Sequence, residues 1–111
     1  MSRMDQVNDL IRDEVSKILT EVIGKDFLAT VLRAQVSKDL KNGVVWISIL
    51  SEEPEKDFSN LLRKSSEIQR FLGERISLKR TPRLEFQLDK STEYASNIQK
   101  LLDKIKEDEK K

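Results

Sequence analysis

From Met4 to Val22 the apolar residues Met4, Val7, Leu10, Ile11, Val15, Ile18, Leu19 and Val22 recur at helical spacing, and from Thr30 the spacing drops to two. After Pro54 the helical period returns, and at Arg83 the strand period comes back. A chain that changes period this often is constrained to an α+β arrangement, with helices covering a small sheet. The first helix carries Asp5, Asp9, Arg12, Asp13 and Lys17 on its polar face, and Gly24 offers it a C-terminal stop. Thr30 to Val36 places Leu32, Ala34 and Val36 on one side of a strand and Arg33 and Gln35 on the other. Ser37 to Gly43 supplies turn chemistry, with Asn42-Gly43 suited to left-handed backbone angles. Val44 to Leu50 is apolar on both sides, as a strand inside a sheet is, and the two strands read as a hairpin.

Glu52-Glu53-Pro54 opens the next helix, with acidic residues at its positive end and Pro tolerated in its first turn. Phe58, Leu61 and Leu62 form one apolar face, and Ile68, Phe71, Leu72 and Ile76 form another. Between them Arg63-Lys64-Ser65-Ser66-Glu67 has no apolar anchor, and adjacent serines compete with helical hydrogen bonds. We therefore expect an ordered kink between two helices rather than one helix running unbroken from Pro54 to about Leu72. Pro82 pushes Thr81 into an extended conformation, and Leu84, Phe86 and Leu88 then alternate toward a core. Asp89 or Ser91 can cap a last helix striped by Tyr94, Ile98, Leu101, Leu102 and Ile105, before a frayed tail at residues 107–111. The expected core joins Leu10, Ile18, Val45, Ile47, Ile68, Leu72, Leu84, Phe86 and Ile98. Trp46, within an apolar strand, is expected to be buried under a helix rather than to serve as a base-stacking platform.

Composition narrows function by what is missing. The 111 residues fit one domain, residues 1–111, and contain neither His nor Cys. Thiolate chemistry, disulfides, the commonest general base and the commonest zinc ligands are thereby removed. With so few glycines and aromatics a deep carboxylate-lined active site is hard to build, so we expect no enzyme, no cofactor and no metal. No apolar stretch approaches the length of about 20 residues that spans a bilayer, and no apolar signal core follows Met1. A cytoplasmic, membrane-free protein is the expectation.

The net charge of +1 hides a polarised distribution. Residues 63–83 hold Arg63, Lys64, Arg70, Arg75, Lys79, Arg80 and Arg83 against Glu67 and Glu74, net +5, while every other stretch is mildly acidic. A solvated helix face would also tolerate charge, but so local an imbalance is the footprint of a surface that meets a polyanion. Lys38 and Lys41 in the hairpin turn either extend it or form a plain exposed turn.

These pieces resemble a known family. The helix-strand-strand-helix-helix-strand order is that of a type II KH-like RNA-binding domain. The runs Val36-Ser37-Lys38-Asp39-Leu40, Val45 to Leu50, Ile68 to Gly73, Leu78 to Phe86 and Asp89-Lys90-Ser91 resemble the ribosome-binding factor A family of bacterial small-subunit assembly factors. The resemblance implies binding to the immature 30S subunit and its 16S rRNA or precursor during late maturation, including 5′-end processing, and support of growth in the cold. It also implies action by occupancy rather than catalysis, with an assembly GTPase helping release, and we expect the protein to act as a monomer. Ordinary KH domains approach phosphates over a Gly-x-x-Gly loop. The family has a kinked Ala-x-Gly there, whereas this chain has Lys64-Ser65-Ser66. The expected RNA-binding residues are Arg63, Lys64, Ser65, Ser66, Arg70, Arg75, Lys79, Arg80, Arg83, Lys38 and Lys41. A protein–protein adaptor, docking an acidic partner on the same basic face, is the alternative.

Overall fold

The structure, a computed structural model, describes residues 3–90. Its elements run α1 (Arg3–Ile23), β1 (Leu28–Val36), β2 (Asn42–Leu50), α2 (Pro54–Arg63), α3 (Ser65–Arg75) and β3 (Arg83–Leu88). The strands form one mixed sheet in the order β1-β2-β3: β1 and β2 pair antiparallel as a hairpin, and β2 and β3 pair parallel. Parallel neighbours need a crossover, and α2 with α3 supplies it. This is the α+β arrangement that the order of periods implies, and the type II KH-like order that the resemblance implies. The expected last helix and its Ile98 lie outside the described residues.

The core forms where the apolar stripe of α1 meets the sheet and α3. Ile11, Val15 and Ile18 are fully enclosed with Val45, Ile47, Leu61, Ile68 and Leu72, and Phe86 closes the β3 side. Each such side chain stabilises the fold by about 1.5–3 kcal/mol relative to leaving it exposed. Leu10 departs from expectation and is 37% exposed. It stands one position, a rotation of about 100°, off the Ile11-Val15-Ile18 line, and so falls on the shoulder of the buried stripe. Gly24 ends the helix as expected: its backbone is left-handed at φ +64°, and its N–H donates to the Thr20 carbonyl at 3.1 Å.

The hairpin holds three corrections. A bulge between Val31 and Arg33 adds Leu32 to β1 without a partner: Val31 faces Ile47 and Arg33 already faces Trp46. The extra residue flips the side-chain parity, so Val31, Ala34 and Val36 are buried and Leu32 is exposed. Asn42 and Gly43 do not make the turn. They open β2, where Gly43 pairs with Val36 and Leu84, and the left-handed residue is Leu40 at φ +61°. Trp46 is half-buried and is not covered by a described helix. It lies on the sheet face away from Val45 and Ile47, and the Arg33 guanidinium sits 4.0 Å from its ring centroid. Leu28 and Leu50 are exposed at one end of the hairpin.

The expected break between helices is present and is one residue long. Lys64, at φ −97° and ψ 8°, ends α2 and precedes α3. The junction is anchored on both sides: the Lys64 N–H donates to the Leu61 carbonyl at 2.9 Å, and the Ile68 N–H to the Lys64 carbonyl at 2.9 Å. The Lys64 side chain ties the junction to α1. Lys64 Nζ donates to the Val22 carbonyl at 2.9 Å, placing a cation at the negative end of α1. Hydrogen exchange is expected to be faster at Ser65, Ser66 and Glu67 than at the bodies of α2 and α3, with no loss of protection beyond them. Uniform protection from Pro54 to Arg75 would contradict a break.

Candidate nucleic-acid interface

The site begins in the hairpin turn, where short polar side chains replace a glycine. The Asp39 carboxylate accepts from the Ser37 hydroxyl at 2.6 Å and from the Lys41 N–H at 3.0 Å. The Ser37 hydroxyl also accepts from the Asn42 N–H at 3.1 Å, and the Leu40 N–H donates to the Ser37 carbonyl at 2.9 Å. This network holds Leu40 in a left-handed conformation that costs a branched residue about 1–2 kcal/mol. The bonds from Ser37 and Lys41, followed by the nearby charges of Lys41 and Arg80, keep the Asp39 pKa below its ordinary value. A lowered carboxylate pKa contributes stability at neutral pH that is lost as pH falls below about 4. Asp39→Ala is therefore expected to lower the thermal midpoint at pH 7 and to reduce its difference from wild type on acidification to pH 2. A constant difference across that range would show that the carboxylate's charge is not what holds the turn.

The turn lies against the start of β3. The Arg83 N–H donates to the Lys41 carbonyl at 2.9 Å, Asn42 pairs with Arg83, and Arg80 acts on Asp39. Lys41, Arg80 and Arg83, all exposed, therefore gather at one end of the sheet, and Lys38 and Lys79 line a groove at that same end. Beside them runs a shallow groove of about 170 Å³ between the first turn of α3 and β3, lined by Ser65, Ser66, Gln69, Arg83 and Leu84. Gln69 fixes its wall: Nε2 donates to the Pro82 carbonyl at 2.7 Å, and Oε1 accepts from the Leu84 N–H at 3.1 Å. No side chain caps the start of α3. A helix N-terminus, two hydroxyls and an arginine along one groove suit a phosphate backbone, and the neighbouring cations extend the track.

A sequence model of ribosome-binding factor A matches residues 3–102. The chain belongs to the ribosome-binding factor A family. It is similar to ribosome-binding factor A of Clostridium kluyveri, with 35% identity over 97% of this chain and 93% of that one. The crystal structure of ribosome-binding factor A from Thermus thermophilus superposes with a TM-score of 0.69, at 23% identity, over 78% of this chain and 97% of that one. A Thermus thermophilus ribosome-binding factor A homology model, fitted into the cryo-EM map of a complex with the 30S subunit, superposes with a TM-score of 0.64. It is 24% identical over 75% of this chain and 91% of that one.

In this member of the ribosome-binding factor A family the basic segment divides. Ser65, Ser66, Lys79, Arg80 and Arg83 come together with Lys38 and Lys41. The remaining cations go elsewhere. Lys64 is tied to the end of α1, and Arg75 forms an ion pair with Glu21. That pairing lowers the Glu21 pKa and raises that of Arg75. Arg63 lines a separate groove at the end of α1, together with Asp26, Asp57 and Lys64. Arg70 lies 5.2 Å from the Phe71 ring centroid on the exposed side of α3. Two contributors escaped sequence reasoning. Gln69 acts through a neutral amide that no charge count registers, and Arg3, which lines the Lys38–Lys79 groove, is far away in sequence. Among the described residues no cluster of three acidic side chains could hold a metal, and no helix is long and apolar enough to cross a membrane.

Proposed function

We propose that the protein is a non-catalytic assembly factor that binds the immature 30S subunit through its 16S rRNA. The observation that carries this reading is the convergence of Lys41, Arg80 and Arg83, from two separate parts of the chain, beside the α3–β3 groove. The fitted complex of a related factor with the 30S subunit supports the choice of partner. The cations neutralise phosphates and position the protein without reading sequence, while the groove receives backbone at the start of α3. Lys64 and Arg75 tie α2 and α3 to α1 and so hold the helices that frame it. On this reading the factor works in the cytoplasm as a monomer, during late maturation that includes 5′-end processing of the precursor. It leaves with the help of an assembly GTPase, and it matters most in the cold.

The test is a gradient profile of ribosomal particles from cells depleted of this protein and grown cold. Accumulation of immature small subunits carrying unprocessed 16S precursor is expected, together with salt-sensitive co-sedimentation of the protein with small but not large subunits. Normal particles in the cold, or salt-independent association with both subunits, would reject the reading in favour of an adaptor that docks a protein.

A further inference from the structure

Resting on that reading, we propose that the groove between α1, the hairpin turn and the α3–β3 loop is a pocket for one unpaired nucleotide of the bound RNA. The groove has a volume of about 380 Å³ and is separate in its lining from the α3–β3 groove. Arg3, Lys38 and Lys79 border it, one from each of its three walls. None of the three forms an ion pair among the described residues, whereas Arg12, Lys17, Lys56 and Arg75 do. Its floor is apolar: Met4, Val7, Leu40 and Leu78, all half-buried. Apolar surface ringed by unpaired cations has the two chemistries a nucleotide presents, a flat base to cover and a phosphate to neutralise.

The turn provides an independent observation. Leu40 occupies the left-handed region, which favours glycine, and the Ser37–Asp39–Lys41–Asn42 network is what keeps it there. Glycine would relieve the strain but would remove the side chain from the floor. Strain kept for the placement of one side chain marks a position where that side chain is used. Continuity favours RNA as the occupant: Lys41 and Arg80, at the near end of the phosphate track, are the chain neighbours of Leu40 and Lys79 in this groove. A duplex would lay its backbone along the cations with its bases stacked inward, so the floor is reached only by a base that is bulged or at a single-stranded end.

The full-length protein should be tested against two RNA hairpins of equal length and charge, one fully paired and one carrying a single bulged 4-thiouridine. The bulged hairpin is expected to bind about tenfold more tightly, a preference typical of one covered base. Irradiation should crosslink the bulge to residues 3–7, 38–41 or 77–80. Leu78→Ala should reduce the preference to less than about twofold and leave affinity for the paired hairpin, and its salt dependence, unchanged. Equal affinity of the wild-type protein for both hairpins, or crosslinks confined to residues 65–69 and 83–84, would overturn the pocket and leave the phosphate track standing. Failure to bind either hairpin or small subunits would remove both. The wild-type comparison does not depend on the folding of any variant.

Discussion

Phe86→Ala is expected to lower the unfolding free energy by about 3–5 kcal/mol, the range for emptying a packed phenylalanine site. β3 is an edge strand, and the simplest expectation for an edge would be a smaller loss. Phe86 is nonetheless only 8% exposed, pairs with the fully enclosed Val45, and belongs to the same core cluster as Ile68 and Leu72. The cavity would open beneath the crossover helices, where α2 and α3 are held by their own apolar faces and cannot collapse into it. At about 4 °C or more per kcal/mol, the thermal midpoint should fall by at least about 12 °C. An unchanged midpoint would mean that β3 does not close the core.

Replacing Lys41, Arg80 and Arg83 together with Ala should leave folding nearly intact, because exposed charges contribute little to stability. The effect on binding should be large. At about 0.7–1 unit of log–log salt slope per phosphate contact, losing three contacts flattens the slope by about two to three units. Binding to immature small subunits should then be strongly impaired at physiological salt, and the mutant gene should not correct a cold-growth defect. The matched control is Arg63→Ala with Arg75→Ala, since Arg75 is paired with Glu21 and Arg63 lines a groove apart from this end of the sheet; it should change the slope by less than about one unit. Full 30S binding by the folded triple variant at about 150–200 mM salt, a range in which phosphate contacts are already weakened, would move the ribosome-facing surface elsewhere.

What could be read from sequence followed from local periodicity and local chemistry. The stripe of α1, the hairpin, the kink at Lys64 and the alternation of β3 each announce themselves within a few residues. The face of Leu32 could not be read, since a bulge is decided by the partner strand and shifts parity without changing local composition. The left-handed residue of the turn was equally hidden. Asn-Gly is the usual signal, but here Gly43 lies between Val36 and Leu84, where a Cβ would approach their side chains to 3.3 and 3.2 Å, and Ser37 with Asp39 pins Leu40 instead. For the site, charge counting found the basic segment but could not divide it. Whether an arginine meets solvent or an acid depends on residues distant in sequence: Glu21 opposite Arg75, and the Val22 carbonyl opposite Lys64.

The parallel pairing of β2 with β3 also sets an order of assembly. The β1–β2 hairpin closes over a short turn and can form early, with Lys38 and Lys41 already displayed on it. Arg83 reaches its place beside Asn42 only after α2 and α3 have been laid across the sheet, a late and long-range closure. The groove between α3 and β3 therefore requires that closure to have taken place. A nascent chain carries the charge of the interface without its shape, and affinity for structured RNA in a refolding experiment should rise with the slowest phase, after the hairpin signal is complete.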